Sequence, residues 1–208
     1  MLESILLWIA NAVILIINST GYIGVFVLMA LESANIPIPS EIIMPFSGFL
    51  AAQGSFSFWG VVFWGAVGNL FGSLVSYKLA GWIVRTGEKS KIVGFFIPQS
   101  LLDKTGHWFS RWGETTVFFS RLLPVVRTFI SFPAGLGKMN LLRFSLYTFL
   151  GSFVWSAFLA YIGFFLGENW HSVSYYFRKF DYLIAVLILV GFGWWAIKHF
   201  VRINKKAT

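Results

Sequence analysis

The chain has no cysteine, which excludes disulfides and thiolate metal sites. It is also poor in charge: 12% of its 208 residues are charged, against about a quarter in a soluble globular domain. The three histidines, His107, His171 and His199, are too scattered to offer a metal-ligand spacing. No metal site and no cofactor is therefore expected. Proline is scarce at six residues, so the position of each one carries information. The first residues, MLESILLW, lack the basic n-region of a secretory signal, and no cleaved leader is expected.

What is present instead is apolar. Hydrophobic residues make up 57% of the chain and aromatic residues 20%. This composition belongs to an integral membrane protein, with the single membrane domain expected to run over residues 1–208 and to be all-α and polytopic. The formal charge of +8 fits cytoplasmic loops facing anionic lipid better than nucleic acid.

Residues 4–17 form an apolar piece that is either a first crossing or an interfacial helix. Tyr22 to Ile36 is a second piece, containing Glu32. The stretch Pro37-Ile38-Pro39-Ser40-Glu41 interrupts it, and Ile42 to Ala52 resumes the apolar run. Each limb, at about 11–15 residues, would reach roughly 16–22 Å as helix, short of a hydrocarbon core about 30 Å thick. Two short limbs around a double-proline tip suggest a re-entrant hairpin; the rival is one long kinked crossing. Phe56 to Val84 is long enough to span, and Gly65, Gly68 and Gly72 would admit another helix. Asn69, in mid-span, suits an interhelical hydrogen bond, and Lys78 can snorkel to the helix end. Residues 85–114 are amphipathic and rich in Lys and Arg, as expected of a cytoplasmic connection. Leu141 to Leu166 spans again. Tyr182 to Val201 is the last span, and Lys198, Arg202, Lys205 and Lys206 mark a cytoplasmic C-terminus.

Phe118 to Met139 is the most unusual stretch. It is apolar enough for a bilayer yet holds Arg121, Arg127, Pro124, Pro133 and the run Gly135-Leu136-Gly137. Proline removes a backbone donor, and arginine does not discharge by losing a proton. Broken backbone with fixed charge is tolerated at membrane depth only inside protein or along a wet cavity. The hairpin breaks are placed at Pro37, Pro39, Pro124, Pro133 and Gly135.

The two broken segments also resemble each other. Gly48 is followed by Phe58 and Gly65, and Gly135 by Phe144 and Gly151, with Pro45 and Pro133 just before the first glycines. The expected division is a first repeat of hairpin and span at 20–84, an amphipathic connection at 85–105, a second repeat at 106–166 and a last span at 182–203. One full crossing between the hairpins makes them open on opposite faces, an inverted repeat of the kind that places a transporter's substrate site between broken helices.

The first hairpin carries Glu32 and Glu41, and the second Arg121 and Arg127. A charge in mid-membrane costs roughly 2.5–3.5 kcal/mol on insertion scales, so four charges at the tips need mutual pairing, water or ligand. One outcome is a pair of salt bridges that only pins the hairpins together. The functional alternative makes Arg121 and Arg127 the substrate-binding residues, because forked guanidinium donors suit phosphate. Pro124 would open the second limb and put Arg127 near a helix N-terminus. Glu32 and Glu41, which can take up and release protons, would then serve proton coupling.

The motifs Glu32-x4-Pro37-x-Pro39-x-Glu41 with Gly48, and Phe118-x2-Arg121-x2-Pro124-x2-Arg127 with Ala134-Gly135-x3-Met139-x4-Phe144, resemble those of the DedA family, related to the SNARE-associated Golgi or VTT-domain proteins. The resemblance covers about residues 25–165. It implies two re-entrant hairpins, a bacterial cytoplasmic (inner) membrane location, transport of a lipid phosphate, undecaprenyl phosphate foremost, and a part in maintaining the proton-motive force. Some members place the second acid further along and as aspartate, so Glu41 corresponds less directly than Glu32. Three other functions compete with a proton-coupled flippase: an uncoupled phospholipid scramblase, a lipid phosphatase and a purely structural membrane protein. The phosphatase needs a nucleophile with an acid–base partner, and no histidine lies near either arginine in sequence; an enzyme is not expected. The expected partners are a lipid phosphate, membrane lipids and protons, with no nucleic acid. A homo-oligomer is compatible with the sequence.

Overall fold

The computed structural model describes residues 2–87, 99–124 and 126–166. They belong to one compact unit, residues 1–167; a second unit, residues 168–208, lies outside the described residues, and with it the expected span from Tyr182 to Val201. Residues 88–98 of the connection, Lys89 and Lys91 among them, lie outside them too.

The described residues are helical, with no strand among them. The helices are α1 (Leu2–Thr20), α2 (Tyr22–Ser33), α3 (Ser40–Ala52), α4 (Phe58–Gly87), α5 (Gln99–Ser120), α6 (Val126–Phe129), α7 (Ser131–Leu136) and α8 (Leu141–Leu166). Two of them are long and apolar enough to cross a bilayer, over Phe58–Val84 and Leu141–Leu166. The surface pattern agrees. Trp59, Phe71, Leu142 and Phe165 are exposed, whereas Glu32, Arg121, Arg127 and a set of serines are buried. A soluble protein puts its charges the other way round.

The first break begins earlier than Pro37. Helix α2 ends at Ser33, Ala34 donates back to Ala30 and Asn35 takes a left-handed φ of 69°, a conformation asparagine tolerates. Pro37 and Pro39 then keep the chain extended until Ser40 opens α3. Pro45 sits inside α3, so the Glu41 carbonyl loses its usual donor four residues on.

The second broken segment is built differently. Its first limb is the end of α5, a single helix that runs through residues 105 and 106, where the sequence pattern divides connection from repeat. After turns at Arg121 to Pro124, the second limb is split into the four-residue α6 and the six-residue α7. Lys138, with φ of 52°, ends it. Asn140 then caps α8, its Oδ1 accepting from the Leu142 and Arg143 amides at 3.0 and 3.1 Å.

Packing crosses between the two halves. Helix α2 lies on α4, but α3 lies on α8, α7 lies on α4 and α5 lies on α8, with α4 and α8 also in contact. Glycines set these approaches. Gly72 of α4 faces the Ala30 carbonyl of α2, Gly48 of α3 faces the backbone of Ala160, and Gly135 of α7 faces the Tyr77 carbonyl. A side chain at any of these positions would collide with backbone, which is how small residues let membrane helices pack closely. Tyr77 stacks on Phe144 at 4.7 Å and donates to the Met139 carbonyl, tying α4 to the α7–α8 turn.

Candidate functional site

Glu32 lies in the last turn of α2 and Glu41 in the first turn of α3. Arg121 lies in the turn after α5, and Arg127 in α6. Glu32, Arg121 and Arg127 are 4%, 1% and 2% exposed. Because the helices stop at Ser33 and Ser120 and the prolines beyond keep them from resuming at once, these side chains meet in the interior instead of lining continuous spans.

Arg127 is the hub. Its Nη2 donates to Glu32 Oε1 at 2.5 Å, to Glu41 Oε1 at 3.3 Å and to the Ser40 hydroxyl. One amino group with two hydrogens therefore serves three acceptors. Its Nε donates to the Pro124 carbonyl at 3.1 Å, and its guanidinium carbon stands 5.1 Å from the centre of the Trp155 ring, a cation–π distance. The two acids of the first broken segment thus share one arginine of the second.

Arg121 is held differently. Its Nη2 donates to Ser131 Oγ at 2.7 Å, and it makes no ion pair with an acid among the described residues. Its Nε and Nη1 are buried without a hydrogen-bond partner. So are Arg127 Nη1, Trp155 Nε1, Glu32 Oε2 and the hydroxyls of Thr148, Ser152 and Ser156. Four of these atoms, on Arg121, Arg127 and Trp155, are donors only; one, on Glu32, accepts only. The interior around the arginines is rich in donors and short of acceptors. An acceptor-rich anion fits that imbalance, whereas a cation would worsen it.

All four charges named from sequence converge here; Pro37 and Pro39 stand in the first break, and Pro124 of the second accepts from Arg127. Pro133 and Gly135 do not break the chain. They stand inside α7, where Pro133 occupies the first turn, a position that needs no amide donor, and Gly135 seats α7 on α4. Arg127 is the second residue of α6, near a helix N-terminus as expected, but α6 has four residues, too few to build a useful dipole. Ser40, Ser131 and Trp155 were not singled out by sequence. Ser40 adjoins Glu41 and could have been suspected; serine and tryptophan are too common in this chain to mark the other two.

A separate cavity of about 420 Å³ opens at the end of α4, lined by Val84, Asp103, His107, Ser110 and Lys138 among others, and none of the four charges borders it.

Residues 38–165 match the VTT domain family. An uncharacterised membrane protein, YkoX, of Bacillus subtilis is 35% identical to this chain, covering 84% of it and 77% of its own length. The alkaline phosphatase-like protein of Lactococcus lactis (strain IL1403) is 31% identical over 86% of both chains. Undecaprenyl phosphate transporter A of Bacillus subtilis is 29% identical over 91% of this chain and 90% of its own. No solved structure matches the chain.

Proposed function

The chain belongs to the VTT-domain (DedA) family of membrane proteins, and from that premise we propose that it is a transporter that flips a lipid-linked phosphate, undecaprenyl phosphate in the first place, across a bacterial cytoplasmic membrane in a step coupled to protons. The observation that carries this is the excess of buried, unpartnered donors around Arg121 and Arg127. A phosphomonoester brings several acceptor oxygens and negative charge to match them. The relative named undecaprenyl phosphate transporter A supports the choice of lipid.

In this proposal Arg121 and Arg127 bind the phosphate. Glu32 and Glu41 compete with the substrate for Arg127, because they already occupy its Nη2. With all four groups ionised the cluster sums to zero charge, two acids against two arginines, so an added phosphate leaves a buried net negative charge unless an acid takes a proton. Protonating Glu32 or Glu41 releases one of the two carboxylates that hold Arg127 and offsets one negative charge of the phosphate, and protonating both offsets a dianion. That proton uptake is the proposed coupling.

The reciprocal packing of α3 on α8 and α7 on α4 supports two re-entrant hairpins in an inverted repeat, each lending its second limb to the other repeat's span. The proposed repeats are residues 20–84 and 106–166, with 85–105 between them on the cytoplasmic side. A purely structural role explains the pairing of Arg127 with two acids, but not a buried Arg121 whose guanidinium has, among the described residues, one hydrogen-bond partner, a serine. The alkaline phosphatase-like name of one relative points to phosphoester cleavage; phosphate release by the purified protein would support that instead.

The test is transport in liposomes. Purified protein should move undecaprenyl phosphate across the bilayer, faster with an imposed pH gradient, and Arg127→Ala should abolish it. Transport that ignores the gradient and accepts ordinary phospholipids would replace the proposal with a scramblase. No transport of either lipid by folded protein would leave the charges structural.

A further inference from the structure

Serines buried in apolar helices ordinarily return their hydroxyl to the carbonyl four residues back. Buried Ser47 and Ser73 do so here, donating to the Ile43 carbonyl at 2.8 Å and the Asn69 carbonyl at 2.6 Å. Ser152 of α8, only 1% exposed, does not, and its Oγ has no partner. The indole N–H of Trp155, three residues on, is buried and unpartnered as well.

Their position on α8 is informative. Gly151 abuts Arg121, so that a Cβ there would lie 2.7 Å from the Arg121 Cβ, and the Trp155 ring lies beneath Arg127. At about 100° and 1.5 Å per residue, Ser152 falls between these two contacts along the helix axis and within roughly 100° of both around it. Ser152 thus lies within one turn of both positions at which α8 meets the arginines, Gly151 against the Arg121 side chain and Trp155 under the Arg127 guanidinium. Thr148 and Ser156, also buried and unpartnered, continue the line one turn to either side.

We infer that Ser152 and Trp155 are further anion-binding residues of this site, donating the Ser152 hydroxyl and the Trp155 Nε1–H to the phosphate that Arg121 and Arg127 attract. The inference rests on the proposed lipid-phosphate substrate and adds a third wall to its site, supplied by a spanning helix instead of a broken segment. Two neutral donors add contacts to the phosphate without adding charge that would hold it too firmly to release.

The experiment is ligand binding to the purified full-length protein in nanodiscs, with farnesyl monophosphate in one arm and inorganic phosphate in the other. Ser152→Ala and Trp155→Phe should each weaken binding about tenfold in both arms, the loss of one hydrogen bond to a charged group. Ser73→Ala, an equally buried serine with its hydroxyl satisfied, should bind as wild type. Ser152→Ala should also melt no lower than wild type, since removing an unsatisfied buried hydroxyl does not destabilise. Tighter binding of the farnesyl ester than of inorganic phosphate by wild type would identify a lipid as the source of the head group. Unchanged binding by Ser152→Ala and Trp155→Phe would overturn the inference and leave the lipid-phosphate proposal standing. A loss confined to the farnesyl arm would overturn it too, by placing these residues against the tail. Wild type that binds neither ligand would remove both the proposal and the inference.

Discussion

Removing Arg127 and removing the Arg127–Glu32 pair should have opposite consequences for stability. In Arg127→Met, Glu32 keeps its buried carboxylate, its side chain 5% exposed, and loses the 2.5 Å ion pair. Glu41, its side chain 18% exposed, loses its own contact at 3.3 Å but keeps some access to solvent. Breaking a buried pair from one side costs about 3–5 kcal/mol, because an uncompensated charge remains. Replacing both partners by uncharged groups of similar volume is often neutral or stabilising. Glu32→Gln with Arg127→Met should therefore recover most of the loss, leaving a coupling of about 2–4 kcal/mol by the same accounting. Ser40, which also accepts from Arg127, sets part of what remains unrecovered. The assay is the unfolding free energy in mixed micelles for wild type, both single variants and the double. Arg127→Met as stable as wild type, or a double variant no better than the single one, would refute a buried, mutually dependent pair. Transport should be lost in Arg127→Met and in the double variant, so stability and activity separate in the double.

Three further outcomes follow from individual contacts. Arg121→Lys and Arg127→Lys should each abolish transport while leaving protein abundance in the membrane near wild type, since lysine keeps the charge but not the planar set of donors; blotting of membranes beside the transport assay checks both. Gly48→Leu should prevent α3 from seating on α8, because its side chain would meet the Ala160 backbone; the yield of folded, monodisperse protein should fall sharply, and an unchanged yield would refute the packing. Asn140→Ala removes an acceptor that serves two amides at the start of α8 and should cost about 1 kcal/mol, whereas Arg143→Met, at an exposed pair, should cost less; thermal melts of the two variants compare them.

The charged residues and most of the breaks were legible in sequence because each breaks a local rule. Proline at 37, 39 and 124 and ionised side chains at 32, 121 and 127 have no cheap place in an apolar helix, so their presence reports on the tertiary structure that accommodates them. Pro133 was misleading for the same reason it is tolerated: at the start of a helix the ring removes a donor that has no intrahelical acceptor, and sequence alone does not distinguish a helix start from a break. The long connection into α5 was placed by its charge, and its merger with the first limb of the second segment was not visible, since an amphipathic helix and the limb it feeds share one period. Which helix lies on which was beyond reach. Gly48, Gly72 and Gly135 are similar in sequence context, and only the fold shows that the first and third face the opposite half of the protein.

The serines mark a different kind of limit. Ser73 and Ser152 occupy comparable apolar surroundings and both are buried, yet one is satisfied by its own helix and the other is not. Nothing local separates them. Arg121 and Arg127 are likewise not equivalent, despite their matched spacing around Pro124. Arg127 faces the acids of the other broken segment and is saturated on Nη2, so an anion reaches it only by displacing a carboxylate. Arg121 faces a glycine and unpartnered donors, so an anion reaches it without displacing any acid. Initial binding at Arg121 followed by exchange at Arg127 is the order these surroundings favour. Arg121→Lys should then raise the concentration of lipid phosphate needed for half-maximal binding more than Glu32→Gln does, while Glu32→Gln should abolish the response to a pH gradient and leave binding nearly intact. The reverse assignment of those two effects, measured in the same nanodisc and liposome preparations, would refute the proposed order.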